Sequence, residues 1–413
     1  MTEARSTPVT RATDGVAAAR RVPAWLLVVM IAAIGLNLRA PIGSIPPLLT
    51  PITDELRLNS TMQGMLTSVG IVFMGLCAPL GHRLAARFGS ELTTGIFLAV
   101  LAVGGLLRLA ATTPAVLLVS IAVGGVAMGA ISALLPGLIA HHLPRIKGLT
   151  TGIYSTGLAL GVAAAAALAV PSAAWLGGWR PALAVWGVAA AVVGVGWAVL
   201  LPRLRHGARH VLHLVPDESE TSRGLPWRSR TAWFVTVFSS AQMVVGFSAI
   251  AWITPFYVAL GRSPADAAAL LVTLQVVQLL AMLTLPTLTD FTRDRRPLLL
   301  LTLAATSVGV LLLVVAPSSS ALPAVLLLGF GLGGGSTLLL VLVPDYTRGQ
   351  VQAARLGAMT LMVAFLLGAA GPVLLGVLHD ATGSYTPGFV VLLGIAVATV
   401  AVVPVLRPGR LVD

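Results

Sequence analysis

Cysteine is nearly absent. Cys77 stands alone among 413 residues, which excludes a disulfide framework, a cysteine-built metal cluster and a paired-thiol redox centre. Charge is scarce as well: 10% of residues carry one, where an ordinary soluble chain has about 25%. The 14 acidic residues all fall in tails, loops or the edges of apolar runs, and none stands at the middle of one. A mid-membrane carboxylate relay is the usual mark of proton coupling, so its lack weakens a cation-for-proton exchanger. No G-x-S-x-G, Walker loop, H-E-x-x-H or Gly-rich nucleotide fingerprint occurs in a usable context. We therefore expect neither an enzyme nor an ATP-driven pump, with no cofactor and no metal. His206, His210 and His213 form an H-x3-H-x2-H run, but no cysteine or suitably spaced carboxylate joins them, which favours a solvated loop.

What is present is apolar: 57% of residues are hydrophobic and the mean hydropathy is +0.95. Runs long enough to cross a bilayer, about 20 residues each, recur from end to end. Twelve spans are expected, at 23–47, 61–81, 91–111, 114–138, 149–170, 181–201, 230–258, 268–287, 297–316, 322–343, 357–378 and 388–406. With the N-terminus inside, every basic residue falls on the cytoplasmic side except Arg57, Arg180 and Arg262 outside and Arg39 and Arg108 within spans. So steep a bias puts both termini in the cytoplasm. It also accounts for the +12 net charge without nucleic acid. Residues 1–22 read as a disordered cytoplasmic tail, and the first span as a retained helix rather than a signal peptide.

The chain repeats itself. "PAVLLVSIAVGGVAMGAISALLP" (114–136) and "PAVLLLGFGLGGGSTLLLVLVP" (323–344) share their opening, a glycine pair and a closing proline, half a chain apart. Two parallel six-helix bundles follow, 23–201 and 230–406, joined by a cytoplasmic linker over 202–229 and ending in a tail over 407–413. Such halves bind a solute at their interface near the bilayer midplane and rock about it. Glycines at close spacing (Gly125/Gly129, Gly157/Gly161, Gly331/Gly335, Gly368/Gly371) predict close helix packing.

Polar groups inside the spans are the candidate binding residues. Arg39 lies about 15 residues into the first span, roughly 20 Å along its axis. Snorkelling, backbone carbonyls, or Asp54 or Glu55 could answer its charge, but intramembrane ionisable groups are functional by default. Its planar fork suits a carboxylate or a similar planar anion. Asn37 accompanies it, and Pro41, Pro46 and Pro47 loosen the helix beyond. Arg108, three residues from the end of its span, is expected to snorkel to the headgroups. Gln275 and Gln278 share a helix face, either on a cavity wall or bonding between helices. Gln242 and Tyr154 pose the same choice, and for Trp252 and Tyr257 an interfacial belt competes.

Several motifs carry a resemblance. "LNLRAPIGSIPPLL", "PLGHRLAARFG", "LPTLTDFTRDRRPLL" and "LLGAAGPVLLGVLHDATGSYTPGF" are similar to segments of the major facilitator superfamily. Within it they resemble the cyanate/2-nitroimidazole permease family, over about residues 23–406. The resemblance implies an all-α membrane protein of 12 transmembrane helices in two pseudo-symmetric six-helix bundles. It implies a multi-pass protein of the bacterial cell membrane, a monomer in the lipid bilayer. Its partner would be a small-molecule solute, with a co-transported proton left open.

The resemblance also implies that Asn37 and Arg39 face a central cavity and that Asp290 and Arg293 belong to an intracellular gate. In the first-half copy of that gate, Arg83 and Ala86 stand where an acid is usual, so Arg83, Arg87 and Glu91 are the gate candidates there. Ala40 replaces a customary proline, and "GIYSTGLALG" lacks the Gly-Pro signature of drug exporters. Phe247, Leu361 and Phe365 stand where the family pattern has hydrogen-bonding side chains. A more aromatic pocket fits a solute bulkier than cyanate. The reading is a secondary active or facilitative transporter of a small organic, anionic or planar solute, working by alternating access. The alternative is an exporter of nitro-aromatic or other toxic compounds, ahead of a solute sensor or an anion channel.

Overall fold

A computed structural model describes residues 22–207, 225–289, 295–347 and 349–405. Asp290 and Arg293, the N-terminal tail through residue 21, most of the central linker with His210 and His213, and the tail from 406 lie outside the described residues.

The described chain is helical. In order the helices are α1 (Ala24–Gly43), α2 (Leu49–Leu56), α3 (Ser60–Phe88), α4 (Ser90–Leu106), α5 (Pro114–His142), α6 (Lys147–Leu176), α7 (Trp179–Gly207), α8 (Arg230–Ala259), α9 (Pro264–Thr289), α10 (Arg296–Val315), α11 (Ala321–Asp345), α12 (Gln350–Thr382) and α13 (Thr386–Val400). Among the described residues, 11 segments are long and apolar enough to cross a membrane, and α13 is a shorter apolar helix of the same kind. All backbone polar groups in lipid must be satisfied internally, which is why spans this apolar fold as helices.

Helix ends depart from the expected span edges for physical reasons. α3, α5, α6 and α12 run several residues past their apolar stretches, because a helix continues in water until a cap stops it. Asn59 caps α3 by accepting from Met62 N–H, and Gly177 and Gly383 end α6 and α12 in the left-handed region. α7 passes through Pro202 to Gly207 rather than stopping at 201. The first span is discontinuous instead: α1 stops at Gly43, a 3-10 turn covers Pro46–Leu48, and α2 resumes. Pro41, Pro46 and Pro47 withhold three backbone donors there.

Packing repeats across the two halves. In the first, α1 packs on α6, α3 on α5 and α4 on α7; in the second, α8 packs on α12, α9 on α11 and α10 on α13. The halves meet through the equivalent pairs α3 with α12 and α9 with α6. Glycine makes these approaches possible. A Cβ on Gly161 would overlap the Leu36 backbone, one on Gly129 the Met74 backbone, and one on Gly335 the Gln242 amide.

Candidate functional site

The halves are sealed together at one end, the end with few arginines. There Gly64 of α3 lies against the Pro372 backbone of α12, and Gly376 of α12 lies against the Ser60 backbone. Across this contact the Asp380 carboxylate of α12 accepts from Ser60 N–H (2.8 Å), Thr61 N–H (2.8 Å) and the Thr61 hydroxyl (2.6 Å). His379 Nδ1 is 2.8 Å from Ser60 Oγ. One half thus caps the N-terminus of a helix in the other, where backbone donors and the helix dipole favour an anion. Within the first half, Glu55 pairs with Arg180 (2.7 Å) and accepts from the Trp179 indole (2.6 Å).

The same two helices continue toward the arginine-rich end. Gly75 still approaches the Phe365 Cβ, but Pro79, His82 and Arg83 of α3 and Ala358, Leu361 and Met362 of α12 are exposed.

Between these ends lies a shared apolar cluster. It joins Ile34, Leu38, Ile71, Met74 and Tyr154 of the first half to Phe247, Ile250, Leu271 and Ala369 of the second. Phe247 and Phe365 stack at 6.2 Å. Arg39 is half-buried on the last turn of α1 before Pro41, close enough to Tyr154 of α6 for the two to interact electrostatically. Glu55 is committed to Arg180, so neither it nor any other described acid forms an ion pair with Arg39. Gln275 is buried with its Oε1 unbonded, one turn along α9 from Leu271. Gln242 is buried with both amide atoms unbonded, pressed against Gly335. Gln278 is half-buried, and its backbone packs on Gly333.

Other expected positions sit elsewhere. Asn37 is buried against α7: with its amide oriented to satisfy both neighbours, it donates to Trp186 O (3.2 Å) and accepts from Ala190 N–H (3.1 Å). Hydrogen bonding within the first half uses up this side chain. Trp252 and Tyr257 are fully buried, not part of an interfacial belt. The Trp252 indole donates to Pro372 O at 2.9 Å, and an aromatic group of Phe256, Tyr385 and Phe389 surrounds this end of the second half.

Arg108 does not snorkel. It is 2% exposed, because α4 tightens into a 3-10 turn over Leu107–Ala110 that carries the side chain into the bundle. Of the gate candidates, Arg83 and Arg87 are exposed, and Arg87 lies over the Phe88 ring. Glu91 is buried inside the first half, 3.0 Å from His142 Nε2, while its carbonyl accepts from the Trp197 indole. His141 lies beside this pair, and one ligand atom from each of the three falls within 4.8 Å of the others. A loop salt-bridge or capping role is what the sequence favours for His379 and Asp380, and the structure shows the cap; its partner in the other half, the Glu91–His142 pair and the buried Arg108 are what the sequence reading missed. The acid-edge positions of Asp380 and Glu91 were the available signal.

Residues 25–372 match the Major Facilitator Superfamily. The chain is 31% identical to the 2-nitroimidazole transporter of Escherichia coli over 374 residues, covering 90% of this chain and 92% of that protein. It is 29% identical over 377 residues to the uncharacterized transporter YycB of Bacillus subtilis, with 91% of each chain covered. It is 28% identical over 362 residues to the cyanate transport protein CynX of E. coli, covering 87% of this chain and 91% of that one. A crystal structure of a D-xylose–proton symporter superposes with a TM-score of 0.72 at 14% identity, covering 92% of this chain and 97% of that one. The helical pairing repeated across two halves, the interface between them and these matches lead to one conclusion: the chain belongs to the Major Facilitator Superfamily and is a multi-pass membrane transporter of a small solute, not an enzyme.

Proposed function

We propose that this chain carries a small organic solute, anionic or planar, by alternating access, with Arg39 as the cationic group that holds it. One observation carries the reading. The Arg39 guanidinium stands at the break in the first span, half-buried and without an ion-pair partner among the described residues. A charge so placed is costly in a low-dielectric interior unless a ligand completes it, and a guanidinium offers two parallel donors to a planar acceptor. Tyr154, the Phe247–Phe365 stack and the under-bonded Gln275 supply an apolar, amide-edged wall suited to a planar body. In this reading the positive-inside rule assigns the arginine-rich end and both termini to the cytoplasm, which puts the sealed end, with Ser60 and Asp380, outside. Asp380 then locks the outer side.

The relative named a 2-nitroimidazole transporter favours a planar heterocycle, and the one named for cyanate a small anion; export of nitro-aromatic compounds is the second reading. Thermal-shift screening of the purified protein against small organic acids and nitro-heterocycles tests both, since a true ligand stabilises the native state by mass action. The hits then enter counterflow in proteoliposomes. A stabilising, saturable solute whose effect disappears in Arg39→Gln supports the reading. A ligand that binds and moves equally well without Arg39 refutes it. Resistance on overexpression without uptake would select the export reading.

A further inference from the structure

The buried Arg108 has no role in the site above. Its side chain is 2% exposed, and its Nε and NH1 atoms make no hydrogen bond. The carbonyl ends of the 3-10 turn over Leu107–Ala110 provide a favourable field for a cation, but none bonds to those two nitrogens. The guanidinium borders a small cavity inside the first half, lined by Pro41, Ile42, Ile45, Thr67, Ile121 and Met128. It has room for a body about the size of one water molecule. The lining side chains are apolar except for Arg108 and Thr67, and no acidic residue is among them.

A cavity that holds a guanidinium and no carboxylate rejects cations. It pairs poorly with a neutral water, which would leave the guanidinium charge uncompensated. The room is too small for an organic carboxylate. From this geometry we infer that Arg108 holds a resident monatomic anion, a halide of chloride or bromide size, as the counter-ion that lets a charged arginine lie inside the first bundle. Pro41, Ile42 and Ile45 belong to the break in the first span that follows Arg39. The anion therefore sits directly behind the element that positions the proposed solute group, and it stiffens that element. The inference does not depend on Arg39 binding solute, and its test separates the two.

The test uses purified full-length protein with no solute, comparing thermal stability in sodium gluconate and sodium bromide at equal ionic strength. Wild type is expected to melt at least about 2 °C higher in bromide, the shift a ligand specific to the folded state produces. Arg39→Gln should show the same shift and Arg108→Met none. No halide shift in wild type, or an undiminished shift in Arg108→Met, overturns the inference. Should Arg108→Met fail to fold, bromide-edge anomalous diffraction from wild-type crystals decides. A peak beside the Arg108 guanidinium supports the site, and an empty cavity in bromide overturns it.

Discussion

Asp380→Ala removes the acceptor that ties the two halves at the sealed end. Three hydrogen bonds are lost, to Ser60 N–H, Thr61 N–H and the Thr61 hydroxyl, together with the only side-chain cap that crosses from one half to the other among the described residues. A bond to a charged group is worth about 1.5–3 kcal/mol and an N-cap about 1 kcal/mol. The carboxylate is exposed, so solvent takes over part of this and the lower figure applies, about 1 kcal/mol in favour of the sealed state. Removing it should shift the ratio of sealed to unsealed molecules at this end roughly fivefold, since 1.4 kcal/mol is a factor of ten. Spin labels at exposed Asp54 and Ala381, placed in a Cys77→Ser background, read the separation of the halves by double electron–electron resonance. The longer-distance population should grow in Asp380→Ala and stay small in the parent. An unchanged distance distribution would refute the assignment of Asp380 as a lock, leaving it only a local cap.

The remaining predictions concern packing, the buried pair and the pocket. Gly161→Ala should destabilise the protein by about 1–3 kcal/mol, because the added methyl meets the Leu36 backbone. Gly152→Ala in the same helix meets nothing within 4 Å and should be neutral or slightly stabilising; melting of the two variants side by side checks this. His142→Ala leaves the buried Glu91 carboxylate without its 3.0 Å hydrogen-bond partner and should cost about 1.5–3 kcal/mol, seen as a lower melting temperature that Glu91→Gln in the same background partly restores. Phe365→Tyr puts a hydroxyl beside the Phe247 stack and should move solute preference toward smaller, more polar ions in counterflow; no change would count against the aromatic wall.

Architecture was legible in the sequence because membrane physics leaves few choices: apolar runs of fixed length must be helices, and a half-chain repeat with six runs per copy must give two like bundles. Spacing of glycines announced close packing at Gly129 and Gly161, where a Cβ has no room. What could not be read was direction. Asn37 and Arg39 are two residues apart, about 200° around a helix, and only the fold shows that one turns to α7 while the other stays half-buried. Arg108 was assigned to the headgroups on its distance from the span end, but a local 3-10 turn sent it inward. Pairings such as Ser60 with Asp380, 320 positions apart, depend on how the halves dock, and no local pattern encodes that.

The central claim is that Arg39 holds the cargo. Counterflow of the best-stabilising solute should therefore be compared in proteoliposomes holding equal amounts of wild type, Arg39→Lys and Arg39→Gln. Saturable exchange should survive in the wild type, weaken in the lysine variant, which keeps the charge but loses the two-pronged grip, and fall to background in the glutamine variant. Exchange in Arg39→Gln at the wild-type rate and half-saturation would contradict the account.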